Sequence, residues 1–293
     1  MPSLVKENKT QQMMEDPWQK AYDFAVVVAR KAGMEIKKAS ESEIKVRTKS
    51  STADLVTKTD EKVEKIIITY IKEEFGADTH SFIGEESVAN GKPCILTDKP
   101  TWIIDPVDGT NNFVHGFPFV AVSIAFAVKK ELEFGVVYSC LEDKMYKARK
   151  GKGAFCNDKQ IYVSDVRDIH KSIIMSEHGT DRSLEKVTKI ISTIQRICCI
   201  PVDGLRNLGS AAINMCLVAS GRVEAFFEIG IHCWDIAAGA VIVREAGGIL
   251  LDVNGGPFNL MSRRLMSANN DVIAQRIIEE IEIFPVERDD VEK

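Results

Sequence analysis

The chain has 293 residues, 45% hydrophobic and 28% charged, with a formal net charge of −5. This composition is typical of a globular protein, and the acidic balance argues against a nucleic-acid-binding surface. No apolar run reaches the roughly 20 residues of a membrane-spanning helix, and the polar N-terminus lacks a signal-peptide core. The seven cysteines form no CxxC pair, which indicates reduced thiols in the cytosol and neither a disulfide framework nor a zinc site.

Residues 1–15 are polar and without period, and we expect a flexible tail there. Asp16-Pro17 predicts a helix start with Asp16 as the N-cap, and helical spacing of apolar residues continues to about Ala39. A second helix follows a polar loop at 49–60. Asp60, near its start, is either an N-cap or a carboxylate that positions a water.

Short apolar runs at 81–87, 102–104, 120–128 and 134–138 indicate strands, several of them antiparallel and joined by hairpins. Beyond Ser164 the pattern changes to alternating helices and strands, which suggests a boundary between two lobes of one domain spanning residues 16–285. The predicted strands there are 172–176, 224–228 and 249–253, and the predicted helices are 184–197, 209–217, 234–246 and 271–283. Residues 286–293 are highly charged, and we expect a frayed tail.

The stretch 101–115, TWIIDPVDGTNNFVH, combines a buried strand with a turn that carries Asp105 and Asp108. Two carboxylates this close repel each other unless a cation lies between them, and hard divalent metals take carboxylate oxygens. A turn in which both aspartates bond nearby amides is the alternative. The turn alone leaves both interpretations open.

Two further acidic segments lie at the ends of predicted helices or strands. Glu85-Glu86 follows the strand at 81–84, where paired acids are usually just solvated. Asp235 follows Trp234 at a helix start, where an N-cap is the simplest interpretation. The neighbouring Cys233 is expected to be a buried spectator, with a reactive thiol as the alternative.

Taken together, these segments resemble the inositol monophosphatases of the lithium-sensitive, magnesium-dependent phosphatase superfamily, and most closely the vertebrate cytosolic enzymes. One family signature is matched by residues 102–115, and the other runs from Trp234-Asp235 to Gly247-Gly248. Gly84-Glu85-Glu86 and the segment from Asp54 to Asp60 match as well. The resemblance implies an α/β (α+β) fold, the layered αβαβα sugar-phosphatase arrangement, with an antiparallel N-terminal sheet and a mixed α/β C-terminal lobe.

The resemblance also implies the ligands of two to three Mg²⁺ ions. Glu85, Asp105 and the carbonyl of Val107 would hold the first, Asp105, Asp108 and Asp235 the second, and Glu85 a weaker third through waters. Inhibition by Li⁺ at the second site is implied as well. The physical sense is that four carboxylates from distant segments can share one cleft only if metal ions offset their repulsion.

Catalytic and substrate-binding roles are implied in the same way. Thr110, backed by Asp60, would orient the attacking water. The metal-site groups Glu85, Val107, Asp108 and Asp235 would also border the substrate, and a basic residue, Lys49, would lie near the site. The remaining implied contacts are the amides of Gly109 and Thr110 for phosphate, and Gly209, Ser210, Ala211 and Glu228 for inositol hydroxyls.

The activity implied is Mg²⁺-dependent hydrolysis of myo-inositol monophosphates by a cytoplasmic homodimer, a phosphoric monoester hydrolase that binds neither nucleic acid nor membrane. Phosphatase activity on other sugar phosphates and a weakly active regulatory paralogue remain alternatives. Departures from the family pattern at Asn111, Gly116, Asp203, Ser210 and 176–182 leave the metal ligands intact. They put substrate preference and dimer strength in question.

Overall fold

A computed structural model describes residues 16–41, 46–49 and 55–291 of this chain. The predicted flexible tail at 1–15 lies outside the described residues, as does Asp54 of the matched loop segment.

Within the described residues, the chain contains both helices and short strands along its length. The helices are α1 (Gln19–Ser40), α2 (Lys58–Phe75), α3 (Glu85–Ala89), α4 (Thr110–His115), α5 (Leu184–Cys199), α6 (Ala211–Ala219), α7 (Cys233–Glu245) and α8 (Asp271–Ile278). The N-terminal strands are β1 (Val46–Thr48), β2 (Leu55–Thr57), β3 (Ser81–Gly84), β4 (Thr101–Asp108), β5 (Ala121–Val128), β6 (Glu131–Ser139), β7 (Lys144–Arg149), β8 (Ala154–Cys156) and β9 (Lys159–Ile161). The C-terminal strands are β10 (Ile173–Ser176), β11 (Gly204–Arg206), β12 (Ala225–Ile229), β13 (Ile249–Leu251) and β14 (Arg264–Ala268).

The N-terminal sheet has the strand order β3-β4-β5-β6-β7-β8-β9. From β4 onward every neighbouring pair is antiparallel, as the hairpin pattern predicts. The one exception to the expected antiparallel sheet is its edge, where β3 pairs with β4 in parallel. The cause is the connection through α3 and a long loop, which returns the chain to the same end of the sheet before β4 begins.

Helices cover both faces of this sheet. The buried residues of α1 and α2, spaced three and four apart, pack on one face with Trp102, Phe126 and Phe134. Helices α6 and α7 cover the other face. Gly135 on β6 permits this close packing, since a Cβ there would come within 2.3 Å of the carbonyl oxygen of Ala238 on α7.

The second sheet has the order β11-β10-β12-β14-β13, with parallel and antiparallel pairs. Its outer face is covered by apolar residues of α5 and α8, including Ile197, Ile273 and Ile277. Helices α6 and α7 therefore lie between the two sheets, which gives the five layers of the predicted αβαβα arrangement.

Three helix and chain ends differ from the sequence expectations. Asp16 accepts a bond from the amide of Trp18, but α1 begins only at Gln19, with Trp18 at the N-cap. Helix α8 ends at Ile278 and not near 283, because the chain then leaves the helix to pack Phe284 into the outer core. The charged end is not frayed at Asp289, whose side chain is only 3% exposed.

Candidate active site

Three aspartates that the sequence places on distant segments meet in one cleft between the lobes. One carboxylate oxygen from each of Asp105, Asp108 and Asp235 lies within 4.8 Å of the other two. Asp105 and Asp108 are buried, and Asp235 is partly exposed to the cleft. Carboxylate oxygens at this spacing are a donor set suited to a hard divalent cation.

The end of β4 orients the first two carboxylates. The pairing of β4 with β5 shifts register between Asp105 and Asp108, and this irregularity brings both side chains to the cleft. Asp105 Oδ1 accepts the amide of Val107 at 3.0 Å, and Asp108 Oδ2 accepts the amide of Ala212 at 3.1 Å. The alternative of a turn with amide-bonded aspartates is thus also present, and it is compatible with a metal site because other lone pairs face the cleft.

Asp235 approaches from the second lobe at the N-terminus of α7. It is the N3 residue and not the N-cap, which is His232. Asp235 Oδ2 accepts the amide of His232 at 2.7 Å. This bond fixes one oxygen on the helix terminus, where the helix dipole favours negative charge.

Burial and mutual repulsion shift the acidity of the cluster. Burial, followed by the charge of Glu85, raises the pKa of Asp105 and of Asp235 well above the ordinary value. Burial raises the pKa of Asp108 to about 7, although bonds from Ser210 and Ala212 oppose the shift. The chain itself therefore leaves much of this negative charge uncompensated, which a bound cation would relieve.

Glu85, the first residue of α3, lines the same cleft but lies outside the three-aspartate cluster. Its Oε1 is 2.8 Å from Lys49 Nζ, which also bonds Glu86 Oε1 at 2.8 Å. Burial disfavours the charged form of Lys49, but the two glutamates raise its pKa above the ordinary value. The matched Lys49 therefore lies beside Glu85 at the site, paired with both glutamates.

A buried acid that sequence reasoning missed, Glu64 on α2, fixes the position of Glu85. Its carboxylate accepts the amides of Glu86 at 2.8 Å and Ser87 at 2.9 Å, which are free donors of the first turn of α3. A Cβ on Gly84 would meet this carboxylate at 2.5 Å, so only glycine allows the approach. The signal was an acid four residues after Asp60, on the same apolar helix face.

The Thr110 hydroxyl bonds Asp60 Oδ1 at 2.9 Å and lies 3.1 Å from the Val107 carbonyl oxygen. Asp60 is the N3 residue of α2, not its N-cap: Thr57 caps the helix, and Asp60 Oδ2 accepts the Thr57 amide at 3.0 Å. Burial raises the pKa of Asp60. The predicted pair of a hydroxyl and a carboxylate is therefore in direct contact beside the aspartate cluster.

Between these groups, Gly109 has a left-handed backbone with φ of 91°. A Cβ at this position would also lie 2.7 Å from the Phe119 carbonyl oxygen. A larger residue would therefore be disfavoured both by the left-handed backbone and by this steric clash. The glycine exposes the start of α4 to the cleft, as a site for close approach of an anion requires.

The other predicted contacts lie on the second lobe, around a cleft of about 390 Å³. Glu228 on β12 is buried, and burial followed by the charge of Glu177 raises its pKa well above the ordinary value. Gly209 and Ala211 line the cleft, whereas the Ser210 hydroxyl donates to Asp108 Oδ2. Ser210 also caps α6 through the amide of Ile213, so its first contact is with the aspartate cluster.

Glu177 is a second acid that sequence reasoning missed. Its Oε1 accepts the amides of Leu208 and Gly209 and the side-chain amide of Asn214, each at 2.8 Å. It follows directly after β10, and a carboxylate at the end of a strand was the available signal. Glu177 thereby fixes the loop that leads into α6.

Among the departures from the family pattern, Ser210 contacts the aspartate cluster directly, and the segment 176–182 borders the cleft. Glu177, His178, Gly179, Thr180 and Arg182 of this segment line the cleft. Gly116 ends α4 with φ of 67° and is exposed, and Asp203 is exposed as well. The seven cysteines all lie within the described residues and are free thiols.

Among the helices that the structure describes, none has the length and apolar character needed to cross a membrane. A sequence profile of the inositol monophosphatase family matches residues 18–284. Inositol monophosphatase 1 of Bos taurus is 59% identical over 277 residues, which cover 94% of this chain and 99% of the relative. The enzyme of the same name from Homo sapiens is 58% identical over the same coverage.

Among solved structures, the IMPase of Thermotoga maritima superposes with a TM-score of 0.79 at 30% identity. It covers 89% of this chain and 96% of its own. The residues matched by the family profile include every residue of the aspartate cluster. The chain belongs to the inositol monophosphatase family.

Proposed function

We propose that this chain is a Mg²⁺-dependent phosphatase that hydrolyses myo-inositol monophosphates to myo-inositol and phosphate. The observation that carries the proposal is the meeting of Asp105, Asp108 and Asp235 beside the Thr110–Asp60 pair. Membership of the family supports the reaction, and the high identity to relatives named inositol monophosphatase supports the substrate class.

The donor chemistry fits a hard divalent cation. Oxygen ligands predominate in the cleft, and burial followed by the charge of Glu85 raises the pKa of Asp105 and of Asp235, a cost that a bound cation would offset. Glu85, Asp105 and the Val107 carbonyl would hold one Mg²⁺, and Asp105, Asp108 and Asp235 a second. When bound, such ions activate a water and stabilise negative charge on the phosphoryl oxygens.

The chain's own contribution to proton transfer is the Thr110–Asp60 pair. Because Thr110 Oγ1 donates to Asp60 Oδ1, the lone pairs of Thr110 remain available to accept a hydrogen bond from water. A proton leaving that water would pass to Thr110 Oγ1 as the hydroxyl proton passes to Asp60. Burial raises the pKa of Asp60, which makes it a better acceptor.

Substrate would lie between the two lobes. The start of α4 at Gly109 and Thr110 would bind phosphate oxygens, while Glu228, Gly209 and Ala211 would face the sugar hydroxyls. Asp108 would contribute to both the metal side and the sugar side, since it belongs to the aspartate cluster and accepts a hydrogen bond from the Ser210 hydroxyl. The rim at 176–182, which departs from the family pattern, would set the preference among substrates.

The test is phosphate release from inositol 1-phosphate by purified protein, with and without Mg²⁺ and Li⁺. Asp105→Asn should abolish turnover, whereas Asp78→Asn, an exposed aspartate, should leave it unchanged. Full activity of the Asp105 variant would contradict the metal assignment. A higher kcat/KM on another sugar phosphate or a nucleotide would favour the alternative substrates, and negligible turnover on the whole panel would favour a regulatory paralogue.

We further propose that the protein is a cytosolic homodimer inhibited by Li⁺, on the support of family membership. Light scattering of the purified full chain tests the dimer. A monomer at micromolar concentration would contradict it without affecting the assignment of the reaction.

A further inference from the structure

Away from the carboxylate cleft, a second group of ligand-type side chains meets at the start of α7. Cys94 Sγ and Cys233 Sγ are 3.6 Å apart, and both residues are buried. One carboxylate oxygen of Asp289 lies within 4.8 Å of both sulfur atoms. The three residues come from the loop after α3, from the first position of α7 and from the C-terminal segment.

The separation of the sulfur atoms suits a shared tetrahedral ion. Two thiolates bound to one zinc ion at about 2.3 Å each are about 3.8 Å apart. A thiol–thiol hydrogen bond has a similar length, so this distance alone does not distinguish a metal site from a hydrogen-bonded pair of thiols. The carboxylate of Asp289 favours the metal site, because together with the two thiols it completes a set of three protein ligands.

Asp289 is held in place by its own hydrogen bonds. Its Oδ2 accepts the amide of Cys233 at 2.8 Å, and its Oδ1 lies 2.6 Å from Nδ1 of His232. Arg263 Nη2 lies 3.1 Å from His232 Nε2, which must therefore be the acceptor, so that Nδ1 carries the proton and donates to Asp289. Outer contacts of this kind orient carboxylate ligands in metal sites.

The local charges also favour a divalent cation. Arg263 Nε lies 3.7 Å from Asp289 Oδ1. In the metal-bound state the two thiolates, the carboxylate and the guanidinium carry a net charge of about −2, which one divalent ion cancels.

A path from solvent reaches the site. A cavity of about 460 Å³ is lined by Cys94, His232, Arg263 and Asp289, among other residues. A cation can enter past Cys94, and a water in the cavity can supply the fourth ligand.

We propose that Cys94, Cys233 and Asp289 bind one thiophilic divalent cation of the Zn²⁺ class, separate from the Mg²⁺ cleft. On binding, two metal–sulfur bonds form, the two thiol protons pass to the buffer, and no redox change takes place. The ion links the loop after α3 to the first residue of α7, two positions before Asp235. Occupancy therefore fixes the helix end that carries Asp235.

The test uses full-length, reduced, chelator-treated protein in excess Mg²⁺, titrated with Cd²⁺ as the probe. Wild type should show a saturable thiolate-to-cadmium charge-transfer band that Zn²⁺ displaces. Cys94→Ser should weaken binding at least ~100-fold, and Asp289→Asn at least ~10-fold with the band retained. The control Cys198→Ser, at an exposed thiol beside Cys199, should leave the band unchanged.

Circular dichroism and thermal unfolding without metal establish that each variant is folded. Absence of the band in wild type would overturn the proposal, as would a band that survives Cys94→Ser or disappears in Cys198→Ser. A Cys94–Cys233 disulfide found by mass spectrometry in place of Cd²⁺ binding would overturn it too, since the pair would then be redox-active.

Discussion

Thr110 Oγ1 donates to Asp60 Oδ1 at 2.9 Å, although the two residues are 50 positions apart. The contact joins the start of α4, beside the aspartate cluster, to the first turn of α2. A hydroxyl whose proton is committed to a buried carboxylate presents lone pairs to the cleft. This geometry suits the role proposed for Thr110, the orientation of a nucleophilic water.

Replacing Thr110 with valine keeps the β-branched shape and removes the hydroxyl. We expect kcat for inositol 1-phosphate to fall about 100-fold or more, since positioned proton transfer contributes at least that factor. Thr110→Ser restores the hydroxyl and should retain activity within about tenfold. Steady-state kinetics on the three proteins provides the check, and equal rates for the serine and valine variants would rule out the proposed role.

Glu64→Gln should weaken the metal site from a distance. The amide oxygen can still accept one amide of α3, but its NH₂ group opposes the second, at Glu86 or Ser87. We expect a loss of about 1–3 kcal/mol in the free energy of unfolding and a higher Mg²⁺ concentration for half-maximal activity. The matched control is Glu73→Gln, an exposed position on the same helix. If both variants require the same Mg²⁺ concentration as wild type, Glu64 does not support Glu85.

Removal of metal should make stability depend on pH through Asp108, whose pKa burial raises to about 7. Between the ordinary pKa of 3.8 and about 7, the folded state holds this proton more tightly than the unfolded state. The free energy of unfolding therefore decreases as pH rises through that window, by roughly 1.4 kcal/mol for each pKa unit.

Urea unfolding in a chelator measures this effect. Relative to Asp108→Asn, the wild-type protein should lose stability as the pH rises from about 5 to about 7. Added Mg²⁺ should stabilise wild type more at the higher pH, because the cation competes with protons for the carboxylates. A pH-independent difference between the two proteins would show that Asp108 is not the titrating group.

Glu177→Gln should affect the substrate more than the chemistry. The loop at 208–209 loses part of its anchor, because a neutral amide oxygen accepts the three bonds now made to Oε1 more weakly than a carboxylate oxygen does. We expect KM for inositol 1-phosphate to rise about tenfold with a smaller change in kcat, a cost of about 1.4 kcal/mol in binding. Glu185→Gln, an exposed glutamate on α5, serves as the control. A loss confined to kcat would place Glu177 in another role.

The sequence was most informative where local pattern determines structure. The run TWIIDPVDG contains a buried strand and its turn within nine residues, so Asp105 and Asp108 were predictable as neighbours. Strands β7 to β9 were missed because their residues alternate weakly and include several charges, so tertiary pairing and not local preference forms them.

The supporting residues were not predictable for a different reason. Glu64 lies on the predicted face of α2, but its role depends on where α3 begins, which helical spacing does not specify. Cys94 and Cys233 are 139 positions apart, and no spacing rule relates them. Asp289 looked like part of a charged tail because its partners, His232 and the Cys233 amide, are known only once the chain is folded.

Helix α7 has a consequence for the order in which the protein is made. Asp105 and Asp108 leave the ribosome more than a hundred residues before Asp235, on a sheet whose face toward α7 includes Ile103 and Val137. Until α7 emerges, that apolar face lacks part of its cover, and exposed apolar surface in nascent chains favours aggregation. The helix that covers it also delivers Asp235. Covering this face of the sheet and completing the aspartate cluster therefore depend on the same helix.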